Sequence, residues 1–419
     1  MEQDKETMLN LIYITILGLV FYLFKYIFIA NKPVFTIFSL IIFFIMVLVA
    51  YITDNTKFQR YKYKIRGYIP VVVVDILCFV VWFFYLWNFA LIPFMVAFIS
   101  FQVLLTVVIS VVIFKIKYIT IFGKGEMKRR VLESVQHFQG YKYLEYLGEE
   151  SDFNEFVKQN KISMIVLCKP NMTPEEIRDI LDLKLSGVTV KSFFDYMLEN
   201  EGKVEVEFIS EEWLLQAYGF KILRSQMKNK IKRVFDIIMA IIIGIMTLPV
   251  MAIAAIIVRV ESPGPIIYSQ ARVGEKGREF NVYKFRSMRN DAEKDGAKWA
   301  QVNDPRVTKF GNFMRKTRID ELPQLINVLK GEMSFIGPRP ERRVFINELE
   351  KEIPYYNLRH MVKPGLTGWA QVMYPYGASV EDAKRKLEYD LYYIKSYTLS
   401  LDVIILFMTL KTVLFGKGR

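Results

Sequence analysis

Asp320 and Glu321 stand side by side at the head of an apolar pattern, Leu322, Leu325, Ile326 and Leu329, that stops at Lys330-Gly331. The spacing predicts a short helix. Pro323 is tolerated in its first turn, where N–H groups have no intrahelical partner, and Gly331 suits the position just past its end. Two carboxylates at the positive end of a helix lie where anions are favoured, and with a divalent cation added the place would hold a phosphate beside a nucleophile. Arg315, Arg318 and Arg339 are near in sequence and would supply countercharge to a polyanionic substrate. An acidic pair is also what the first turn of an ordinary soluble helix carries, so both readings stand at this level.

More cations and hydrogen-bonding groups surround that stretch. Lys284 and Arg286, two apart in the strand-like run EFNVYKFRSM, share one face while Tyr283 and Phe285 share the other. A pair of cations on a strand suits a diphosphate, and ordinary solvent-facing alternation reads the same way. Arg339 lies between Pro338 and Pro340, whose restricted φ angles lower the cost of ordering its guanidinium. Downstream, Arg359, His360 and Lys363 precede KPGLTGWAQV, in which Gly365 and Gly368 make a tight loop presenting Trp369 and Gln371. His360 is read either as a general base or as a hydrogen-bonding spacer.

The run RIDELPQLINVLKGEMSFIGPRP followed by KPGLTGWAQV resembles the catalytic region of bacterial polyprenyl-phosphate phosphoglycosyl transferases, the monotopic membrane family that starts capsule, exopolysaccharide and O-antigen repeat units. The resemblance covers about residues 232–415. It implies a nucleotide diphosphate sugar as donor, usually a UDP-sugar, and polyprenyl (undecaprenyl) phosphate as acceptor. Asp320 would attack the phosphorus next to the sugar, giving a covalent phosphosugar-aspartyl intermediate and releasing UMP. Polyprenyl phosphate would then take the sugar phosphate. Glu321 fits a Mg2+ ligand, shared with Asp320, since Mg2+ is often held by one or two carboxylates plus substrate phosphates. Arg272, Lys284, Arg286, Arg315, Arg339, Arg359, Lys363 and Gln371 are the substrate-binding candidates. Asp390, in KLEYDLYYIKSY, aligns with a recurrent family acid and joins them as a contact to substrate or metal. The loop MYPYGASVEDA after Gln371 departs from the pattern and leaves the sugar-facing wall unassigned. Two other readings are a glycosyltransferase moving only the sugar, which would release UDP, and a catalytically silent membrane scaffold or regulator of polysaccharide assembly.

These residues must be carried to a lipid surface. The 419 residues suggest two or three domains. Hydrophobic residues make up 53% and aromatic residues 15%, which indicates a membrane protein, while 24% charged residues require sizeable aqueous parts. A net charge of +13 raises nucleic acid as a partner, but no basic stripe with interleaved aromatics stands out. The basic residues instead flank apolar segments, as an anionic cytoplasmic leaflet favours. Cys78 and Cys168 lack disulfide or metal spacing, in keeping with a reducing compartment.

The expected architecture is a membrane protein of α/β class in three parts: a four-helix transmembrane block (1–117), a small Rossmann-like α/β module (118–222), and a mixed α/β catalytic domain (223–419) anchored by a re-entrant helix (234–258). In the block, apolar runs at 10–30, 34–53, 69–86 and 91–114 each approach the ~20 residues that cross a bilayer. The first is too long for a signal-peptide core and is read as retained. Basic loops place the amino terminus and everything after 114 in the cytoplasm, so the catalytic domain is expected on the cytoplasmic face of a bacterial inner membrane. From Tyr118, short β-rich runs alternate with helices, including one capped by Thr173 with Pro174 at its first position. Gly123-Lys124-Gly125 is a truncated dinucleotide fingerprint: Lys128 occupies the third glycine position and Glu145 is a loose candidate for a ribose contact. That module is read as degenerate, with a structural or regulatory role ahead of cofactor binding.

The apolar stretch 234–258 has Lys228, Lys230, Lys232 and Arg233 before it and Arg259 after it, so both flanks prefer the cytoplasm. Pro249 is expected to break the helix near its middle, with Gly244 easing the bend, to give a hairpin in one leaflet; the alternative is a kinked spanning helix. Asp236 is expected to pair with Lys232 or Arg233. The carboxy-terminal apolar run reads as an interfacial helix. A homo-oligomer is left open, and so is the sugar, because epimers are told apart by a few hydrogen bonds.

Overall fold

The computed structural model describes residues 2–28, 39–40, 42–43, 75–76, 79–80, 89–113, 117–137, 141–148, 152–216, 220–289, 304–374, 377 and 379–414. The chain divides into two compact units, Met1–Glu201 and Gly202–Arg419.

In the first unit, helices α1 (Glu2–Phe28) and α2 (Leu91–Ile113) pack through aromatic side chains, with the Phe21 ring 5.4 Å from Phe94 and 5.3 Å from Phe98. The second and third expected apolar runs, and the basic loop between them, lie almost wholly outside the described residues. After α2 comes the parallel sheet that the alternation from Tyr118 predicts. Strands β1 (Lys117–Phe122), β2 (Tyr141–Tyr143), β3 (Met164–Leu167) and β4 (Thr189–Ser192) lie in the order β2-β1-β3-β4. They alternate with α3 (Glu126–His137), α4 (Phe153–Gln159), α5 (Pro174–Leu185) and α6 (Phe193–Asn200). Ile119 and Ile165 are fully buried, as the β-branched residues of a doubly covered parallel sheet should be. Thr173 caps α5 in a reciprocal capping box with Glu176. The β1–α3 turn needs Gly123, at φ 126°, because a Cβ there would meet the Cys168 carbonyl carbon at 2.6 Å. Lys128, which occupies the third glycine position, pairs at 3.0 Å with Glu145, the loose candidate for a ribose contact.

The second unit begins with an extended segment and two short helices, α7 (Glu211–Gln216) and α8 (Lys221–Arg224), before the long helix α9 (Gln226–Glu261). Residues 202–209 run along the later helix α14 (Val380–Lys395), where the Val204 N–H donates to the Glu388 carbonyl. Among the described residues α9 alone is long and apolar enough to cross a membrane. Pro249 does not terminate it, contrary to the expected break: proline removes only its own N–H, and the turns on either side keep their bonds. The buried residues of α9 form two stripes at helical spacing, Lys232, Asp236 and Ala240, then Ala254 and Val258. Between them nothing is buried, and Ile245, Met246 and Leu248 are exposed by 69%, 73% and 62%.

Strands β5 (Ile267–Val273) and β6 (Glu279–Phe285) form an antiparallel hairpin, and β7 (Ser334–Ile336) pairs in parallel with β8 (Gly365–Thr367). Around them stand α10 (Lys309–Thr317), α11 (Leu325–Lys330), α12 (Arg343–Glu352), α13 (Trp369–Met373) and α15 (Leu399–Leu414). The second stripe of α9 packs on Phe285 of β6 and Met314 of α10. The first stripe is ionic at its root. Lys232 Nζ lies 2.9 Å from Asp402 Oδ2 on α15 and 3.8 Å from Asp236, so the expected Lys232–Asp236 pair is the longer of two. Asp236 Oδ1 instead accepts from Ser334 Oγ and the Phe335 N–H at 2.9 and 3.0 Å, which fixes β7 to the helix.

Candidate active site

The helix expected from Asp320 to Lys330 is present with a tighter start. Residues Ile319–Gln324 form a 3-10 turn containing Pro323, and α helix begins only at Leu325. Upstream, Thr308 caps α10 by accepting from the Gly311 N–H at 2.9 Å. That helix ends at Arg318, which adopts the left-handed conformation (φ 60°, ψ 15°) and turns the chain into the 3-10 segment. Downstream, Gly331 at φ 84° closes α11. Asn327, wholly buried within this otherwise apolar helix, ties it to β6: its Nδ2 donates to the Asn281 carbonyl at 2.7 Å and its Oδ1 accepts from the Tyr283 N–H at 3.2 Å. Those ties hold the turn against the strand that bears Lys284.

Asp320 and Glu321 are both buried but in different surroundings. Glu321 is surrounded by cations: Oε1 accepts from Arg339 Nη2 at 2.6 Å and Lys284 Nζ at 3.1 Å, and Oε2 lies 3.4 Å from Arg318 Nη1. Burial opposes its ionisation, yet Arg339, Lys284 and Arg318 together outweigh burial and hold the carboxyl well below its usual range. Asp320 Oδ1 is buried with no hydrogen-bond partner among the described residues. Burial, reinforced by the charge of Glu321, pushes Asp320 up to about 6. The net shift, equivalent to about 3 kcal/mol against ionisation, exceeds the roughly 0.3–1 kcal/mol that a helix start offers an anion.

The remaining candidates separate into three groups. Arg339 and Lys284 touch Glu321, and Gln371, on α13, touches Arg339 through an Nη1 to Oε1 bond of 3.3 Å. Gln371 Nε2 is buried and unpartnered among the described residues. Arg272 and Arg315 lie at the margin. Arg272 bonds Glu341 Oε2 at 3.2 Å and the Pro340 carbonyl at 3.3 Å, beside Arg339, and burial lowers its pKa. Arg315 Nε donates to Ser287 Oγ at 2.8 Å, near enough to Asp320 to favour its charged form.

The third group is drawn away by other partners. Arg286 does not join Lys284 in a two-cation face: its guanidinium donates to the carbonyls of Val258, Ser262 and Pro263 and satisfies the end of α9. Arg359 and Asp390 form a buried ion pair at 2.9 Å, and Arg359 Nη2 also donates to the Arg339 carbonyl at 3.0 Å, so the two support the main chain of Arg339. Lys363 lies beside Gly331 at the end of α11. His360 is partly buried, which lowers its pKa to about 3 and keeps it neutral. The contribution of Arg318 to Glu321 was readable from their three-residue spacing. That of Asn327 had one signal, a lone amide inside an apolar helix.

Comparison with known proteins gives a consistent picture. A model of the bacterial sugar transferase family matches residues 227–416. A UDP-N-acetylgalactosamine-undecaprenyl-phosphate N-acetylgalactosaminephosphotransferase of Aeromonas hydrophila is 47% identical over 217 residues, 52% of this chain and 50% of the relative. A UDP-glucose:undecaprenyl-phosphate glucose-1-phosphate transferase of Xanthomonas campestris pv. campestris is 36% identical over 278 residues, 65% of this chain and 57% of the relative. An exopolysaccharide production protein of Rhizobium leguminosarum bv. phaseoli is 38% identical over 195 residues, 45% of this chain and 98% of the relative. The chain thus spans about half the length of the first two relatives and nearly the whole of the third.

Proposed function

Because the chain belongs to the bacterial sugar transferase family, we propose that it transfers a sugar-1-phosphate from a UDP-sugar to polyprenyl phosphate, releasing UMP, as the first membrane step of a surface polysaccharide. The observation that carries this reading is the asymmetry of the carboxylate pair, in which Glu321 is held by three cations while Asp320 keeps a buried oxygen unpartnered. A pKa of about 6 leaves Asp320 mostly ionised at neutral pH and nucleophilic. Its oxygen attacks the phosphorus that bears the sugar; an O–P bond forms, the P–O bond to UMP breaks, and UMP leaves with the electron pair. An oxygen of polyprenyl phosphate then attacks the same phosphorus, and the Asp320 carboxylate is regenerated.

Catalysis of this kind is mainly positioning and charge neutralisation. Arg339 and Lys284 are placed to pass from Glu321 to the phosphate oxygens, with Arg272 and Arg315 at the margin and Gln371 offering an amide N–H. Arg359 and Asp390 act behind Arg339. The residues present fit a Mg2+ ion: Asp320 Oδ1 is an orphaned hard oxygen, Glu321 is the next residue, and an ion completed by substrate phosphates and water needs no larger set of side chains. When bound, Mg2+ would neutralise the diphosphate.

Lipid access follows from α9. Its two ends are docked on the catalytic unit while its middle is exposed and apolar, which supports a helix bent at Pro249 rather than broken there, its middle in one leaflet and both ends returned to a catalytic unit on the cytoplasmic face of the inner membrane. The four-span reading of 1–117 and the separate module 118–222 complete the proposal, the latter in a structural or regulatory role.

Membranes carrying the chain, given undecaprenyl phosphate and a panel of UDP-sugars, should release UMP with at least one donor. Labelled sugar phosphate should bind the polypeptide before lipid is added. Release of UDP would instead show transfer of the sugar alone, and no nucleotide from any donor would favour a silent scaffold.

A further inference from the structure

The turn that delivers the dyad is made by an arginine where the backbone prefers glycine. Arg318 has φ 60°, the region that L side chains rarely enter, and it both ends α10, through its N–H to the Met314 carbonyl, and starts the 3-10 turn. The neighbouring turn at the end of α11 takes the same left-handed conformation with Gly331. Four other non-glycine residues with positive φ occur among the described residues, Lys161, Phe220, Lys276 and Tyr355, and none of them hydrogen-bonds to Asp320 or Glu321. Arg318 alone meets it twice: its carbonyl accepts the Glu321 N–H at 3.2 Å, and its Nη1 lies 3.4 Å from Glu321 Oε2.

We propose that Arg318 is a positioning residue for the transfer reaction, holding Glu321 through both its carbonyl and its guanidinium and so fixing the orientation of that carboxylate beside Asp320. This inference rests on the reading of the site given above. Lys284 engages Oε1 of Glu321, and Arg339 makes its short bond to that same oxygen. Arg318 approaches Oε2, where the other contact is the longer bond of Arg339 at 3.5 Å. Without Arg318, Oε2 keeps the longer Arg339 contact but loses its second cation, and the orientation of Glu321 beside Asp320 is less tightly held. A backbone strain kept at a functional turn is retained for what the side chain does there.

The test separates the strained backbone from the charged side chain. Arg318→Gly relieves the turn and deletes the guanidinium, Arg318→Asn does the same with a residue that tolerates the conformation, and Arg318→Lys keeps the charge. In membranes supplied with UDP-sugar and undecaprenyl phosphate, both deletions should lower turnover roughly tenfold, with KM little changed and the thermal unfolding midpoint equal or higher. The midpoint of the pH–turnover curve should move upward, and Arg318→Lys should recover most of the lost rate. Unchanged turnover and pH profile in the deletions would overturn the proposal. So would a loss of turnover that follows a lowered unfolding midpoint in either deletion, which assigns Arg318 to the fold, or an Arg318→Lys variant as slow as the deletions. If the unsubstituted chain releases no UMP with any donor, the functional reading itself has failed; if it does and the variants match it, only the role of Arg318 has.

Discussion

Two buried ionic clusters in the second unit are both built from carboxylates and facing cations and reach opposite states. At the root of α9, Lys232, Asp236 and Asp402 have side chains exposed by only 10%, 3% and 0%. Their oxygens meet the ammonium of Lys232, the Ser334 hydroxyl, the Phe335 N–H and, for Asp402 Oδ1, the Tyr393 hydroxyl at 2.8 Å. At the dyad the carboxylates are as deeply buried, yet the cations facing them, Lys284, Arg318 and Arg339, keep 23%, 31% and 36% of their surface open, and Asp320 Oδ1 has no partner among the described residues. A satisfied network fixes a fold, whereas a partly satisfied one with open cations stores an unmet demand for a ligand. The first cluster joins the apolar helix α9 to β7 and α15; the second is the one that the proposed transfer would use.

The contrast is broken most completely by Asp320→Asn. UMP release should fall at least a thousandfold, since the nucleophile is gone, while the unfolding midpoint at pH 7 should rise because a desolvated charge has been removed. Substantial residual turnover in that variant would end the nucleophile assignment. Lys232→Met should do the reverse. It strands two buried carboxylates and should cost about 3 kcal/mol or more of stability, read by thermal or denaturant unfolding, with turnover per folded molecule kept.

A pH series sharpens the same comparison. Folding moves Asp320 from 3.8 up to about 6 and so favours its protonated form. Its contribution to stability is therefore greatest below about pH 4 and is lost as pH rises through 6, over the same window in which activity should appear. Glu321, held below its ordinary value, acts in the opposite sense, contributing stability above about pH 4.5 that is lost on acidification through its depressed pKa. In Asp320→Asn the stability loss between pH 4 and 6 should disappear. The smallest effect is expected from Trp369→Phe, which deletes the 2.7 Å hydrogen bond to the Gly202 carbonyl and should cost about 1 kcal/mol in unfolding measurements.

The elements legible in the sequence are those with local causes. The Thr173 cap with Pro174 behind it and the helix stop at Gly331 both follow from spacing and capping chemistry within a few residues. The acidic pair was visible too, but adjacent acids ahead of an apolar helical run equally mark an ordinary helix start, and it is the resemblance of the surrounding run to the phosphoglycosyl transferases that singles the pair out. Arg286 shows where that reasoning stops. Two-residue periodicity says which face it shares, but not that the carbonyls of Val258, Ser262 and Pro263, about 25 residues earlier, lie within its reach. Arg359 and Asp390 show the same limit: nothing local says that this basic residue and this acid meet in a buried ion pair at 2.9 Å.

The sequence by itself determined the helices, the parallel sheet, the apolar character of α9 and the identity of the acidic pair, since propensity, capping and periodicity act over a few residues. Only the tertiary structure decided which of two neighbouring carboxylates is neutralised by cations and which keeps an oxygen bare. That choice depends on Lys284 arriving from β6 and Arg339 from beyond β7. Desolvation and Coulomb attraction vary with distances that no local pattern encodes.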